Sequence, residues 1–188
     1  MKPNLVNRPL MFVVKKHHAS HLHYDFRLEL NGVLVSWFLL EGPSLNPKKE
    51  AIAQMTEIHK IKNKYSEGVI PKGRYGAGPF IVWDMGIYLV EGCNDRKESE
   101  MKIKEGLLNG EIDFILKGKK LKGKFKLKLI PNEENKWFLI KQEDDFASSK
   151  NILLKDRSVI SNKTIEEIGI KKKSRKNNKN LEQLNLFE

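Results

Sequence analysis

The chain of 188 residues contains one cysteine, Cys93, so it can form no internal disulfide and offers no second thiolate for a structural zinc. A lone thiol fits a reducing compartment, and a cytoplasmic location is expected. Long apolar runs are also missing. The longest, Val33 to Leu40, is interrupted by Ser36 and falls well short of the roughly 18 residues that cross a bilayer. Met1-Lys2-Pro3-Asn4 lacks the apolar core of a signal peptide, so a soluble protein with no membrane partner is expected. Acidic residues are comparatively few: 24 Asp and Glu stand against 35 Lys and Arg, a formal net charge of +11. The last 28 residues hold seven basic and four acidic side chains, which leaves +8 on the rest. Such a body suits a polyanionic partner, nucleic acid before an anionic membrane surface; plain solubilising charge is the alternative.

What is present is period-two alternation. It runs from residue 11 to residue 141 with turn residues at short intervals, the pattern of a mainly antiparallel all-β domain. Strands are expected at Met11 to Lys15, His21 to Leu30, Val33 to Leu40, Ala51 to Glu57, Phe80 to Asp84, Ile87 to Val90, Glu111 to Leu116, Lys120 to Ile130 and Lys136 to Lys141. Asn31-Gly32 is a type I′ hairpin signal. Pro43 and Pro47 make 41–47 a loop, and the four glycines and Pro71 of 67–78 read as structural turns. One helix is expected at Arg96 to Leu108, ended by Asn109-Gly110. Eight or nine short strands with one or two flanking helices predict a small closed or nearly closed β-barrel, with a sandwich as the alternative. The division is a barrel domain over 1–160, a disordered basic linker over 161–180 and a short apolar peptide over 181–188.

Four of the five histidines fall between residues 17 and 23. On a strand, His21, His23, Asp25 and Arg27 point one way while Leu22, Tyr24, Phe26 and Leu28 point the other, so one face is core and the other is chemistry. His23 and Asp25 are neighbours roughly 7 Å apart along that face. His17, folding back, completes a two-histidine, one-carboxylate set that leaves coordination positions open. Arg27 beside it suits an anionic oxygen pair. A His-x-Asp pair also seeds iron-dependent oxygenases, for which His59 is the only distal histidine, so that chemistry stays open as a minor alternative.

Several further motifs, in one order, resemble a known family. Phe12-Val13-Val14-Lys15-Lys16-His17, then His23 to Leu30, Ser36-Trp37, Gly42-Pro43-Ser44-Leu45, Glu67 to Gly78, Ile81-Val82-Trp83-Asp84 and Trp137 to Lys141 are similar to the 3′-phosphoesterase domain of bacterial DNA ligase D over roughly Phe12 to Ala147. The resemblance implies a small barrel that uses manganese, or cobalt or zinc in its place, to remove a 3′-terminal ribonucleoside and then a 3′-phosphate, leaving a 3′-hydroxyl. It implies His17, His23 and Asp25 as metal ligands, Arg27 and His59 as phosphate-contacting and catalytic residues, and Glu57 as an acidic catalytic partner beside His59. Glu41 stands where the family usually has a lysine, and Asn63 where it usually has a tyrosine. A catalytically weak module that binds DNA ends is therefore the competing function.

Lys120, Lys122, Lys124, Lys126 and Lys128 fall on one face of an expected strand, with spacing suited to successive phosphates or, alternatively, to blocking edge pairing. Gln183-Leu184-Asn185-Leu186-Phe187 resembles the pentapeptide by which bacterial repair proteins dock on the sliding clamp, with Gln183, Leu184, Leu186 and Phe187 as the contacts. The expected partners are primer-template DNA 3′ ends, that clamp, and a separate repair ligase and polymerase.

Overall fold

The computed structural model describes residues 8–170. Nine strands are present: β1 (Met11–His18), β2 (Leu22–Leu30), β3 (Val33–Leu39), β4 (Glu50–Lys60), β5 (Gly68–Ile70), β6 (Gly78–Leu89), β7 (Glu111–Gly118), β8 (Lys122–Leu129) and β9 (Lys136–Lys141). All pairings are antiparallel, in the order β1-β2-β3-β4-β9-β8-β7-β6, and β6 returns to β1. Eight strands thus close a barrel, as the alternation predicts, and the sandwich is excluded. The short β5 adds to β6 outside the ring.

The hairpin at Asn31-Gly32 forms as its sequence dictates, with φ of 50° and 78°, the positive pair that a type I′ turn requires. Alternate residues fill the interior: Phe12 and Val14 of β1, Tyr24, Phe26 and Leu28 of β2, Val35, Trp37 and Leu39 of β3, with Trp83, Phe114, Phe125 and Trp137 opposite. The helix α1 (Arg96–Asn109) is capped by Asp95, whose side chain accepts from the Glu98 N–H, and it adds Ile103 to the same core.

Three expectations are corrected. The two strands at 80–84 and 87–90 are one long strand, β6, because Gly86 lets the backbone pass against β7; a Cβ there would lie 2.2 Å from the Lys117 carbonyl oxygen. Lys120 precedes β8, so the basic strand face holds four lysines. Residues 161–170 belong to the folded body rather than to a linker. A helical turn over 165–170 is held by Thr164 and Glu167, each accepting the other's backbone N–H, and Ile165 is only 1% exposed. The signal was present as Thr-x-x-Glu, the reciprocal cap that starts helices. The pentapeptide at 183–187 lies outside the described residues.

Candidate metal centre and phosphate-binding face

The barrel core takes one face of β1, β2 and β3, and the outer face gathers the polar side chains. The register places His17 opposite His23, Lys15 opposite Asp25, and Arg27 between Val13 and Ser36. His17, His23 and Asp25 offer ligand atoms within 4.8 Å of one another. Their rings and carboxylate are held in place by neighbours. His17 Nε2 lies 2.9 Å from the Gly76 carbonyl oxygen, and His23 Nδ1 lies 3.0 Å from the His21 carbonyl oxygen. A carbonyl only accepts, so both nitrogens carry hydrogen, and the opposite nitrogens, His17 Nδ1 and His23 Nε2, keep lone pairs for a ligand. His23 Nε2 is 3.9 Å from Asp25 Oδ1, while Asp25 Oδ2 accepts from Arg27 at 3.0 Å.

This donor set fits a divalent ion with imidazole and carboxylate preference, such as manganese, cobalt or zinc. Burial, followed by the neighbouring His23, lowers the His17 pKa below its ordinary value, which favours the neutral form a metal needs.

Arg27 is 8% exposed, and its Nε–H has no partner among the described residues. A buried, unpaired guanidinium N–H is costly unless a ligand takes it, so it marks where an anionic oxygen belongs. Ser36, the strand neighbour of Arg27, brings in His59: its Oγ lies 3.0 Å from His59 Nδ1. The β3–β4 ladder shifts register between Leu34 and Ser36, and this bulge sets His59 beside Leu34. Burial, then Arg27, lowers the His59 pKa. Both effects favour the neutral imidazole.

Sequence reasoning missed Lys15, which shares this face. It is buried, and its ammonium donates to the Asn63 carbonyl (2.9 Å), the Ser66 carbonyl (3.1 Å) and Ser66 Oγ (2.9 Å). Burial, then Arg27, lowers its pKa to about 8. Its period-two placement with His17 was the available signal. Glu57 is exposed, and the contact that joins it to His59 runs through its backbone. Glu41 is exposed and pairs with Lys49 at 3.2 Å.

The lysines lie elsewhere. In the closed ring β8 is four strands from β2 in either direction, so Lys122, Lys124, Lys126 and Lys128 occupy the opposite side of the barrel from the histidines. Two of them are matched by the protein's own acids: Lys124 by Glu91 at 3.0 Å, and Lys126 by Glu111 and, at 3.4 Å, by Asp113. Lys120 donates to the Arg157 carbonyl oxygen and sits 4.4 Å over the Trp83 ring.

A closed barrel that carries a His-His-Asp set and a partly unpaired arginine on its outer face is equipped to act on an anionic ester. The family model for the DNA ligase D 3′-phosphoesterase domain matches residues 15–128, and the chain belongs to that family. It is 41% identical over 162 residues to the multifunctional non-homologous end joining protein LigD of Pseudomonas aeruginosa, covering 83% of this chain and 18% of that protein. It is 37% identical over 126 residues to the corresponding repair protein of Mycobacterium tuberculosis, 67% of this chain and 15% of the relative. The protein of Mycolicibacterium smegmatis shares 36% over 138 residues, 71% of this chain and 17% of its own length. The chain thus spans under a fifth of the curated relatives it matches. Among the described residues no helix is long and apolar enough to cross a membrane.

Proposed function

We propose that the chain is a divalent-metal-dependent phosphoesterase that cleans DNA 3′ ends during non-homologous end joining, removing a terminal ribonucleoside and then the 3′-phosphate to leave a 3′-hydroxyl. The observation that carries this reading is the pairing of three convergent ligand atoms with the unpaired Arg27 Nε–H, so that one phosphate could meet both. His17 Nδ1, His23 Nε2 and an Asp25 oxygen would hold the ion, manganese first among the candidates. Bound there, it would neutralise phosphate charge and lower the pKa of a coordinated water.

The protein's own groups do the rest. Arg27 fixes the phosphate oxygens and simultaneously orients Asp25. His59, whose protonated form is disfavoured by burial and by Arg27, would take up a proton more readily once a phosphate's negative charge offsets Arg27, and could then donate it to the leaving oxygen. The separate ligase and polymerase that would use the product, and a sliding clamp bound through Gln183 to Phe187, belong to the same proposal.

The test is a labelled primer-template with a 3′-terminal ribonucleotide or 3′-phosphate, incubated with and without Mn²⁺. Metal-dependent conversion to a 3′-hydroxyl, lost in His23→Ala, is expected. Binding without conversion would make the protein a DNA-end-binding module instead.

A further inference from the structure

The loop between β5 and β6 carries a side chain for which neither the fold nor the metal face has any use. Tyr75 is 105% exposed, as open as in an extended peptide, and has no hydrogen-bond or ring partner among the described residues. A single exposed aromatic is ordinary on a protein surface. This one stands on a loop fixed to the candidate site. Arg74 N donates to the Pro71 carbonyl oxygen at 3.3 Å and Ala77 N to the Arg74 carbonyl oxygen at 3.1 Å, making consecutive turns through Gly73 and Gly76 at φ of 83° and 69°. The next residue, Gly76, accepts from His17 Nε2 through its carbonyl. The Tyr75 backbone is thus one residue, about 3.8 Å between Cα atoms, from the group that orients a ligand histidine.

The segment that carries it has charge of one sign. No acidic residue occurs between Glu67 and Asp84. Lys72 and Arg74 are exposed and make no ion pair among the described residues, in contrast to Lys124 and Lys126 on the far side of the barrel. An aromatic ring between unpaired cations, held on turns beside an anion site, has the composition of a stacking platform for single-stranded nucleic acid.

We propose that Tyr75 stacks on an unpaired base within two nucleotides of the DNA 3′ end, while Lys72 and Arg74 meet the adjoining phosphates. The inference rests on the reading that the metal face receives 3′ ends, and it adds how the strand is held there. The two turns set the backbone that carries the ring, and a tyrosine has only two side-chain torsions to order on stacking. Because the ring has no partner among the described residues, its removal leaves the barrel intact.

The test separates binding from turnover. In a His23→Ala background, which keeps the His17–Gly76 hydrogen bond, affinity is measured for a duplex with a three-nucleotide 3′ overhang. Tyr75→Ala should weaken binding on the order of 5- to 150-fold, while Tyr75→Phe and Tyr75→Trp retain it. With abasic residues at the last two overhang positions, the difference between tyrosine and alanine should vanish. Equal affinity for Tyr75→Ala, or the same loss on abasic DNA, overturns the platform. If end conversion by the native protein fails while the Tyr75 effect persists, the catalytic reading falls and the platform stands. Conversion without any Tyr75 effect has the reverse meaning.

Discussion

Lys15 and Asp25 face each other across the β1–β2 ladder, yet the Lys15 ammonium turns away from that carboxylate and spends all three of its hydrogens on the turn at Asn63 and Ser66. Asp25 thereby accepts from Arg27 on one oxygen, and its other oxygen faces His23 Nε2 at 3.9 Å. Lys15 also ties the segment that follows His59 to the strand that carries His17.

Lys15→Met should therefore take the ammonium partner from the Ser66 carbonyl oxygen, while the Asn63 carbonyl oxygen keeps the Ser66 N–H and Oγ, and lower stability by about 1 kcal/mol. Denaturant unfolding gives the magnitude, and amide exchange should quicken at 63–66 before it does in the barrel. An unchanged exchange pattern in that turn would show that the ammonium holds nothing.

Gly76 has φ of 69°, and a Cβ there would come 3.4 Å from the His17 ring. Gly76→Ala is strained at this positive φ, so it is expected to shift the carbonyl that orients His17, to cost about 1–2 kcal/mol of stability and to weaken Mn²⁺ binding about 10- to 100-fold. Calorimetric titration with the ion checks this; native affinity in the variant would mean that His17 needs no such support.

Arg27→Lys keeps a positive charge but loses the planar fork, so metal affinity should stay within a few-fold while conversion of a 3′-phosphate falls roughly 100-fold or more. Parallel metal titration and end-processing assays separate the two effects. Equal losses in both would instead make Arg27 chiefly a support for Asp25.

Burial, above all, pushes Lys15 and Lys120 down to about 8 from an ordinary 10.5. In each case the folded form releases its proton at lower pH than the unfolded chain, so the penalty of burying the charge is full below pH 8 and is relieved as pH rises toward 10.5. Stability should thus increase between about pH 8 and 9.5. At higher pH the opposite effect enters, since Tyr24 is pushed up to about 12 and resists ionising in the fold. Melting temperatures at pH 7.5 and 9.5 test this, and Lys120→Met should show a smaller rise than the native protein. An equal rise in the two would remove Lys120 from the account.

Lys126→Gln should lower stability slightly and leave the salt dependence of DNA binding unchanged, because Lys126 is already matched by Glu111 and Asp113. A shallower salt slope would place DNA on that side of the barrel.

The legible parts of this protein were those written in short-range spacing. The His23, Asp25 and Arg27 face follows from alternation along one strand, and the Asn31-Gly32 turn from its own two residues. The barrel's closure was legible only as a count of strands, since the β1–β6 pairing joins residues some seventy positions apart. The same distance hid the role of Lys15, whose partners lie about fifty residues on, and the separation of the β8 lysines from the histidines. Spacing along a strand shows which residues share a face but not which strands stand beside one another. The helical turn at 165–170 was overlooked because its surroundings are polar, although a single buried isoleucine and a reciprocal cap suffice to seat it.

That seated turn has a practical corollary. A Cβ on Gly169 would come within 3.7 Å of the Pro79 ring, and Glu166 feels the charges of Lys16 and His18. The helical turn over 165–170 therefore packs beside the histidine strand. Arg8, at the other end, pairs with Glu29, six residues along β2 from His23, a span of about 20 Å. A bulky label attached at Glu166 would therefore sit beside the strand that carries the histidines, whereas one attached at Arg8 would stand about 20 Å along β2 from His23.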